Sequence, residues 1–219
     1  MKKLVTAAYI LLWVAHSATV DYTDQANWTG DCTSGAMQSP INLTGATART
    51  DVNLYYSGTM WDNISRDTSI AYFWHYNNQA GKSSTVRYRL TTAPSGATEC
   101  QEAVYTAFQF HFHRTSEHTV DGTSYNAEMH IVHGINREYS NCSNMKGFLV
   151  IGVIFNEVSG AADNSFLSTI DITNIGSPGS ADIGAHLSSW LSGGVFNYEG
   201  SLTTPGCSEV VQWVVCKNV

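Results

Sequence analysis

The run Phe108-Gln109-Phe110-His111-Phe112-His113 constrains this chain more than any other stretch. Its side chains alternate in character with a period of two, the signature of a β-strand rather than a helix. As a strand it places His111 and His113 on one face and Phe110 and Phe112 on the other. Downstream, Asp121-Gly122 is a strong two-residue turn signal. His113 lies eight residues before that pair and His130 eight residues after it. A hairpin turning there sets His130 directly opposite His113, on the same face. Three imidazoles meeting at one point make a zinc site with an open fourth position. Gln109 and Glu128 each precede a histidine by two and share its face. Their amide oxygen and carboxylate suit the second imidazole nitrogens, which need an acceptor to fix tautomer and orientation. One buried histidine is ordinarily a satisfied core residue. Three on one face, two with matched acceptors, point to a metal.

The remaining sequence supplies a β-rich frame. Short alternating runs at Ile70–Trp74, Val86–Leu90, Val104–His113, Tyr125–His133, Phe148–Phe155 and Val210–Val215 are separated by Gly, Ser, Asn and Asp. Two helices are expected on the periphery. One is Ala161–Ile170; the other is Ala181–Leu191, capped by Ser180 and weakened by Gly184. With 219 residues, 43% of them hydrophobic, the chain has material for one core, and no repeat or low-complexity tract divides it. The expectation is a mainly β single domain with a central twisted, mostly antiparallel sheet and a few short helices.

Residues 1–17 read as a secretory signal: Lys2-Lys3, an apolar run from Leu4 to Val14, then Ala15-His16-Ser17. The apolar run is short for a bilayer and no later stretch qualifies, so no transmembrane anchor is expected. Without Lys2 and Lys3 the balance is 9 basic against 18 acidic residues. Such acidity argues against nucleic-acid partners. Export to a secretory lumen or the extracellular space implies paired cysteines, yet Cys32, Cys100, Cys142, Cys207 and Cys216 are odd in number. Two bridges and one leftover thiol is the simplest reading, and spacing does not assign them. Asn27, Asn42, Asn63 and Asn141 open N-x-S/T sequons, as in a secreted glycoprotein.

Gln38-Ser39-Pro40-Ile41-Asn42-Leu43, Gln109 to His113, Ser116-Glu117-His118-Thr119-Val120-Asp121-Gly122, Glu128-Met129-His130 and Gly200-Ser201-Leu202-Thr203-Thr204-Pro205 stand in register from Tyr22 onward. Together they resemble the α-class carbonic anhydrases. The resemblance implies an α-carbonic anhydrase-like catalytic domain over residues 18–219, with Zn²⁺ as cofactor and CO₂/bicarbonate as the small-molecule substrate. It implies His111, His113 and His130 as metal ligands, with Gln109 and Glu128 as their acceptors. Thr203 and Glu117 become the catalytic pair: an ionised carboxylate can only accept, so Glu117 fixes the Thr203 hydroxyl, and through it a zinc-bound hydroxide. Val132, Val150, Leu202, Val211 and Trp213 match an apolar wall for CO₂, and Thr204 a polar residue near bicarbonate. Ordinary core packing accounts equally well for the valines and Leu202. His118 is expected near Glu128, His133 in the buried surroundings, His186 in the second helix and His75 near a polar loop. The resemblance also implies a Cys32–Cys207 bridge, with Cys100–Cys142 as a second pair and Cys216 free or intermolecular.

Two departures from the family pattern stand out. Where fast members carry a proton-relaying histidine, Asn63-Ile64-Ser65-Arg66-Asp67-Thr68 has none, and an exposed Asp67 titrates too low to accept a proton near neutrality. The family also continues beyond the strand at Val210–Val215, so the C-terminal part is expected to be missing. That segment normally brings further strands and a backbone carbonyl that orients the second ligand, here His113. The expected consequences are an unanchored His113 and an exposed sheet edge covered by a homo-oligomer or other partner. Two alternatives remain open. One is a non-catalytic or weakly active secreted relative with a binding or matrix role. The other is a cupin-like oxygenase using His111, His113 and Glu117, although Tyr105 and Ser124 stand where glycines belong.

Overall fold

The structure is a computed structural model that describes residues 22–45, 48–49, 52–57, 60–62, 65–67, 75–77, 85–90, 102–137, 145–171 and 180–217. The expected leader, the strand at Ile70–Trp74, Cys100 and Cys142 lie outside these residues. Along the chain, a 3₁₀ turn at Tyr22–Asn27 and helix α1 (Asp31–Ser34) lead into β1 (Asn42–Leu43) and β2 (Ala48–Arg49). β3 (Val52–Ser57), β4 (Met60–Asp62), β5 (Ser65–Asp67), β6 (His75–Asn77), β7 (Thr85–Leu90) and β8 (Glu102–His113) follow. Next come β9 (Thr119–Val120), β10 (Ala127–Ile135), β11 (Phe148–Phe155) and α2 (Ser165–Thr169). The chain finishes with β12 (Ser180–Asp182), α3 (Ile183–Leu191), β13 (Val195–Gly200) and β14 (Val211–Cys216).

Ten of these strands form one mixed sheet, ordered β2-β13-β14-β11-β10-β8-β6-β5, with β7 also pairing β8 and β3 flanking β7. Its neighbours run antiparallel except β11 and β14, which are parallel. The strand expectations at residues 86–90, 104–113, 125–133, 148–155 and 210–215 fall on β7, β8, β10, β11 and β14, with ends moved by up to two residues. Both helices are shorter than expected. α2 begins only after Asn164, whose side chain accepts from the Phe166 and Leu167 amides. α3 is capped not by Ser180 but by Asp182, the last residue of β12, whose side chain accepts from the Ala185 amide.

β10 and β8 pair antiparallel, but not in the expected register. His130 lies opposite His111, and Glu128 opposite His113. The Asp121-Gly122 turn does form, with φ of 47° and 81° at its two residues. It closes a small bridge between Val120 and Thr123 instead of the β8/β10 ladder. The slip is two residues, an even number, so every histidine keeps its face. Behind that face Phe110 and Phe112 pack with Met129, Ile131, Ile151, Val153 and the apolar sides of α2 and α3. The expected exposed edge is not found at the last strand: β14 sits between β11 and β13 and is buried throughout. No helix among the described residues is long and apolar enough to cross a membrane.

Candidate metal centre

β8 and β10 bring the three histidines together. The ligand-capable nitrogens of His111, His113 and His130 lie within 4.8 Å of one another, all in buried residues. Their rings stand 4.6 to 5.2 Å apart, centre to centre. Each ring has one nitrogen near an oxygen. His111 Nδ1 is 2.8 Å from Gln109 Oε1, and His130 Nε2 is 3.0 Å from Glu128 Oε1. His113 Nδ1 is 3.1 Å from Glu117 Oε1, a contact absent from the sequence-based expectation of an unanchored His113. Those contacts leave His111 Nε2, His113 Nε2 and His130 Nδ1 as the converging atoms. His113 Nε2 is buried and makes no hydrogen bond of its own.

Electrostatics differ from one member of the donor set to the next. Burial holds the His113 imidazole well below its usual range, reinforced by the neighbouring His130, so it is neutral and its contact with Glu117 is not an ion pair. Burial also works against the Glu128 carboxylate, but His118 and His130 outweigh it and keep Glu128 ionised. The same carboxylate raises His130 against the effect of burial. Glu117 moves the other way. Burial pushes it up to about 7, opposed by His130 and by a hydrogen bond from the Thr203 side chain. Imidazoles that each have one nitrogen near an oxygen and the other turned to a shared point are the donor chemistry of a three-histidine zinc site. The residues fit that metal.

A second layer of polar contacts holds this arrangement. Glu128 Oε2 accepts from the His118 amide at 2.9 Å, and Glu128 Oε1 lies 2.7 Å from His118 Nδ1. Tyr198 Oη is 2.7 Å from His118 Nε2 and 3.0 Å from Ser39 Oγ. Ser39 and Ser201 then bond reciprocally, each amide donating to the other's hydroxyl. The loop carrying Thr203 and Thr204 is tied to the N-terminal segment by the Cys32–Cys207 disulfide. Gln38 adds a bond to the Cys207 carbonyl, and Glu209 accepts from the Met37 amide at 2.6 Å.

Val132, Val150, Val211 and Trp213 share one apolar cluster, with Leu202 packed against it. Trp213 presents its ring edge-on to both His118 and His130, at 5.0 and 4.8 Å. His133 is buried with Nδ1 3.2 Å from the Leu149 carbonyl, and His186 stacks on Trp190 in α3. His75 lies in β6, where its Cα partner is His111. Cys216 is a buried free thiol pushed up to about 12 by burial. Sequence reasoning gave Ser39, Tyr198 and Ser201 no role. The first and last sit inside quoted motifs, which was the available signal; Tyr198 carried none.

The signature of the eukaryotic-type carbonic anhydrases matches residues 23–219. The chain belongs to that family. Human carbonic anhydrase 6 is 31% identical to it over 215 residues, covering 88% of this chain and 66% of that protein. Among solved structures, the fungal α carbonic anhydrase of Aspergillus oryzae matches with a TM-score of 0.64 at 23% identity, over 86% of this chain and 74% of that one. That likeness speaks for the fold. The α-carbonic anhydrase of Thermovibrio ammonificans, solved with the inhibitor sulfanilamide, matches with a TM-score of 0.57 at 25% identity, again over 86% and 74%. The chain spans about half to two thirds of the length of the curated relatives it matches.

Proposed function

We propose that this chain catalyses the reversible hydration of carbon dioxide to bicarbonate and a proton, at a zinc ion held by His111, His113 and His130. The observation that carries the reading is the convergence of three buried imidazoles, each placed by a separate oxygen from Gln109, Glu117 or Glu128. Zinc held by three histidines acts as a Lewis acid that makes hydroxide available near neutral pH. The protein's part is to aim the nucleophile and receive the substrate. Thr203 donates to Glu117, so its oxygen is left to accept from the nucleophile and fix a lone pair toward CO₂. The wall of Val132, Val150, Leu202, Val211 and Trp213 receives CO₂, which has no charge to satisfy. Thr204, next along the same disulfide-tied loop, is the residue assigned to bond the bicarbonate product. A disulfide joining residues 175 apart supports an oxidising compartment, the secretory lumen or the outside of the cell.

Stopped-flow CO₂ hydration by the zinc-loaded protein, with and without sulfanilamide, tests the proposal. Hydration above the buffer rate that sulfanilamide abolishes is expected. A purified protein that binds no zinc, or binds it and leaves hydration at the buffer rate, would sink the enzyme reading.

A further inference from the structure

Glu117 touches two parts of the site at once. Thr203 lowers the Glu117 carboxyl from the side of the nucleophile, while Glu117 Oε1 lies 3.1 Å from His113 Nδ1. The second contact depends on how the chain leaves β8. Only Arg114, Thr115 and Ser116 separate His113 from Glu117, so the connection doubles back within a few residues. Both flanks of Glu117 are fixed. Ser116 donates its amide to the Tyr125 carbonyl at 2.9 Å and its hydroxyl to the His118 carbonyl at 2.7 Å, and it accepts from the Tyr125 amide at 2.9 Å. His118, on the other side, donates its amide to Glu128 at 2.9 Å. A carboxylate clamped between two anchored neighbours has little freedom to leave His113.

We infer that Glu117 is a positioning residue for the metal as well as for Thr203: it accepts the Nδ1 proton of His113, and so turns Nε2 toward the point shared with His111 and His130. The inference deepens the zinc reading and rests on it. It gives each ligand its own acceptor, an amide for His111 and a carboxylate each for His113 and His130. It also separates two duties that substitution can uncouple. Glu117→Ala removes both. Glu117→Gln keeps an oxygen that can accept from His113, while its amide group reverses the bond to Thr203. Thr203→Ala leaves His113 untouched.

Zinc affinity, measured by competition with a chromogenic chelator, tests the inference. Glu117→Ala is expected to bind zinc about 10–100-fold more weakly than the parent, with Glu117→Gln and Thr203→Ala within about threefold of it. Equal affinity of Glu117→Ala and parent would overturn the inference and leave the zinc reading standing. A second readout needs no metal. Long-range ¹⁵N–¹H spectra of the stripped protein should place the His113 proton on Nδ1 in the parent and move it to Nε2 in Glu117→Ala. A parent that binds no zinc refutes the zinc reading, and these spectra still decide the role of Glu117. A proton on Nε2 in the parent overturns that role.

Discussion

Replacing Gly152 with alanine tests the packing behind the site. Gly152 is the Cα partner of His130 on β10 and of Val215 on β14, so a side chain there has neighbours on both sides. A Cβ built at this position meets Glu128 Oε1 at 3.1 Å and the two Val215 methyls at 3.2 and 3.3 Å. Relaxed non-bonded contacts lie near 3.5–4.0 Å, so the methyl is a few tenths of an ångström too close to both. Neither neighbour yields cheaply. Glu128 is fully buried and held by the His118 amide, His118 Nδ1 and His130 Nε2 at 2.9, 2.7 and 3.0 Å. Val215 is fully buried in β14, and its β-branched side chain is restricted at χ1. Overpacking of this kind costs about 1–3 kcal/mol, or roughly 2–12 °C in Tm for a chain this size. Movement of Glu128 away from His130 should also weaken zinc binding by about 10–100-fold. Calorimetry and chelator competition read the two effects. Gly134→Ala on the neighbouring strand β10 is the control: its Cβ meets only Phe108 at 3.7 and 4.0 Å, so it should be neutral or stabilising by up to about 1 kcal/mol. A Gly152→Ala protein with parental Tm and zinc affinity would refute the reasoning.

Acid should unfold the protein partly through His133, which burial lowers from 6.5 to about 4. Between those pH values the unfolded chain takes up a proton that the native state refuses, so stability falls as pH drops through this window, by about 3 kcal/mol. Denaturant titrations at pH 7 and pH 4 should show that loss in the parent relative to His133→Gln, and equal slopes would contradict it. Removing the Cys32–Cys207 bridge by a double alanine substitution should cost about 2–5 kcal/mol, seen as a Tm lower by roughly 10 °C. Thr203→Ala should keep its zinc yet lose about 10²-fold in kcat, because the nucleophile is no longer aimed; retained turnover would remove Thr203 from the mechanism. With no histidine in Asn63–Thr68, hydration at saturating CO₂ should rise with buffer concentration, and a buffer-independent rate would show another proton route.

How much of this was legible in the sequence depends on how local each feature is. The shared face of His111 and His113 follows from a period of two within one strand. The pairing of His130 does not, because the turn that seemed to set it closes only the Val120–Thr123 bridge, held by Asn42 and Leu43 of β1. The partners Gln109 and Glu128 were readable because residues two apart on a strand share a face. The approach of Glu117 to His113 was not. A spacing of four has meaning on a helix, and here it arises from a connection fixed by Ser116, Tyr125 and Glu128. The apolar wall shows the limit most plainly. Val132, Val150 and Val211 look like any core strand residues, and only the sheet order puts them in one cluster with Trp213. Ser180 was the expected cap of α3, and the strand β12 carries the chain two residues further before Asp182 caps it.

The central claim is that the three histidines form one hydration-competent zinc centre. Adding zinc stepwise to chelator-stripped protein while recording the initial rate of CO₂ hydration tests it directly. The account predicts a rate that climbs from the buffer background and levels off at one zinc per chain, and stays at background in His111→Ala. A rate that stays at background after one zinc has bound, or activity that survives the loss of His111, would contradict it.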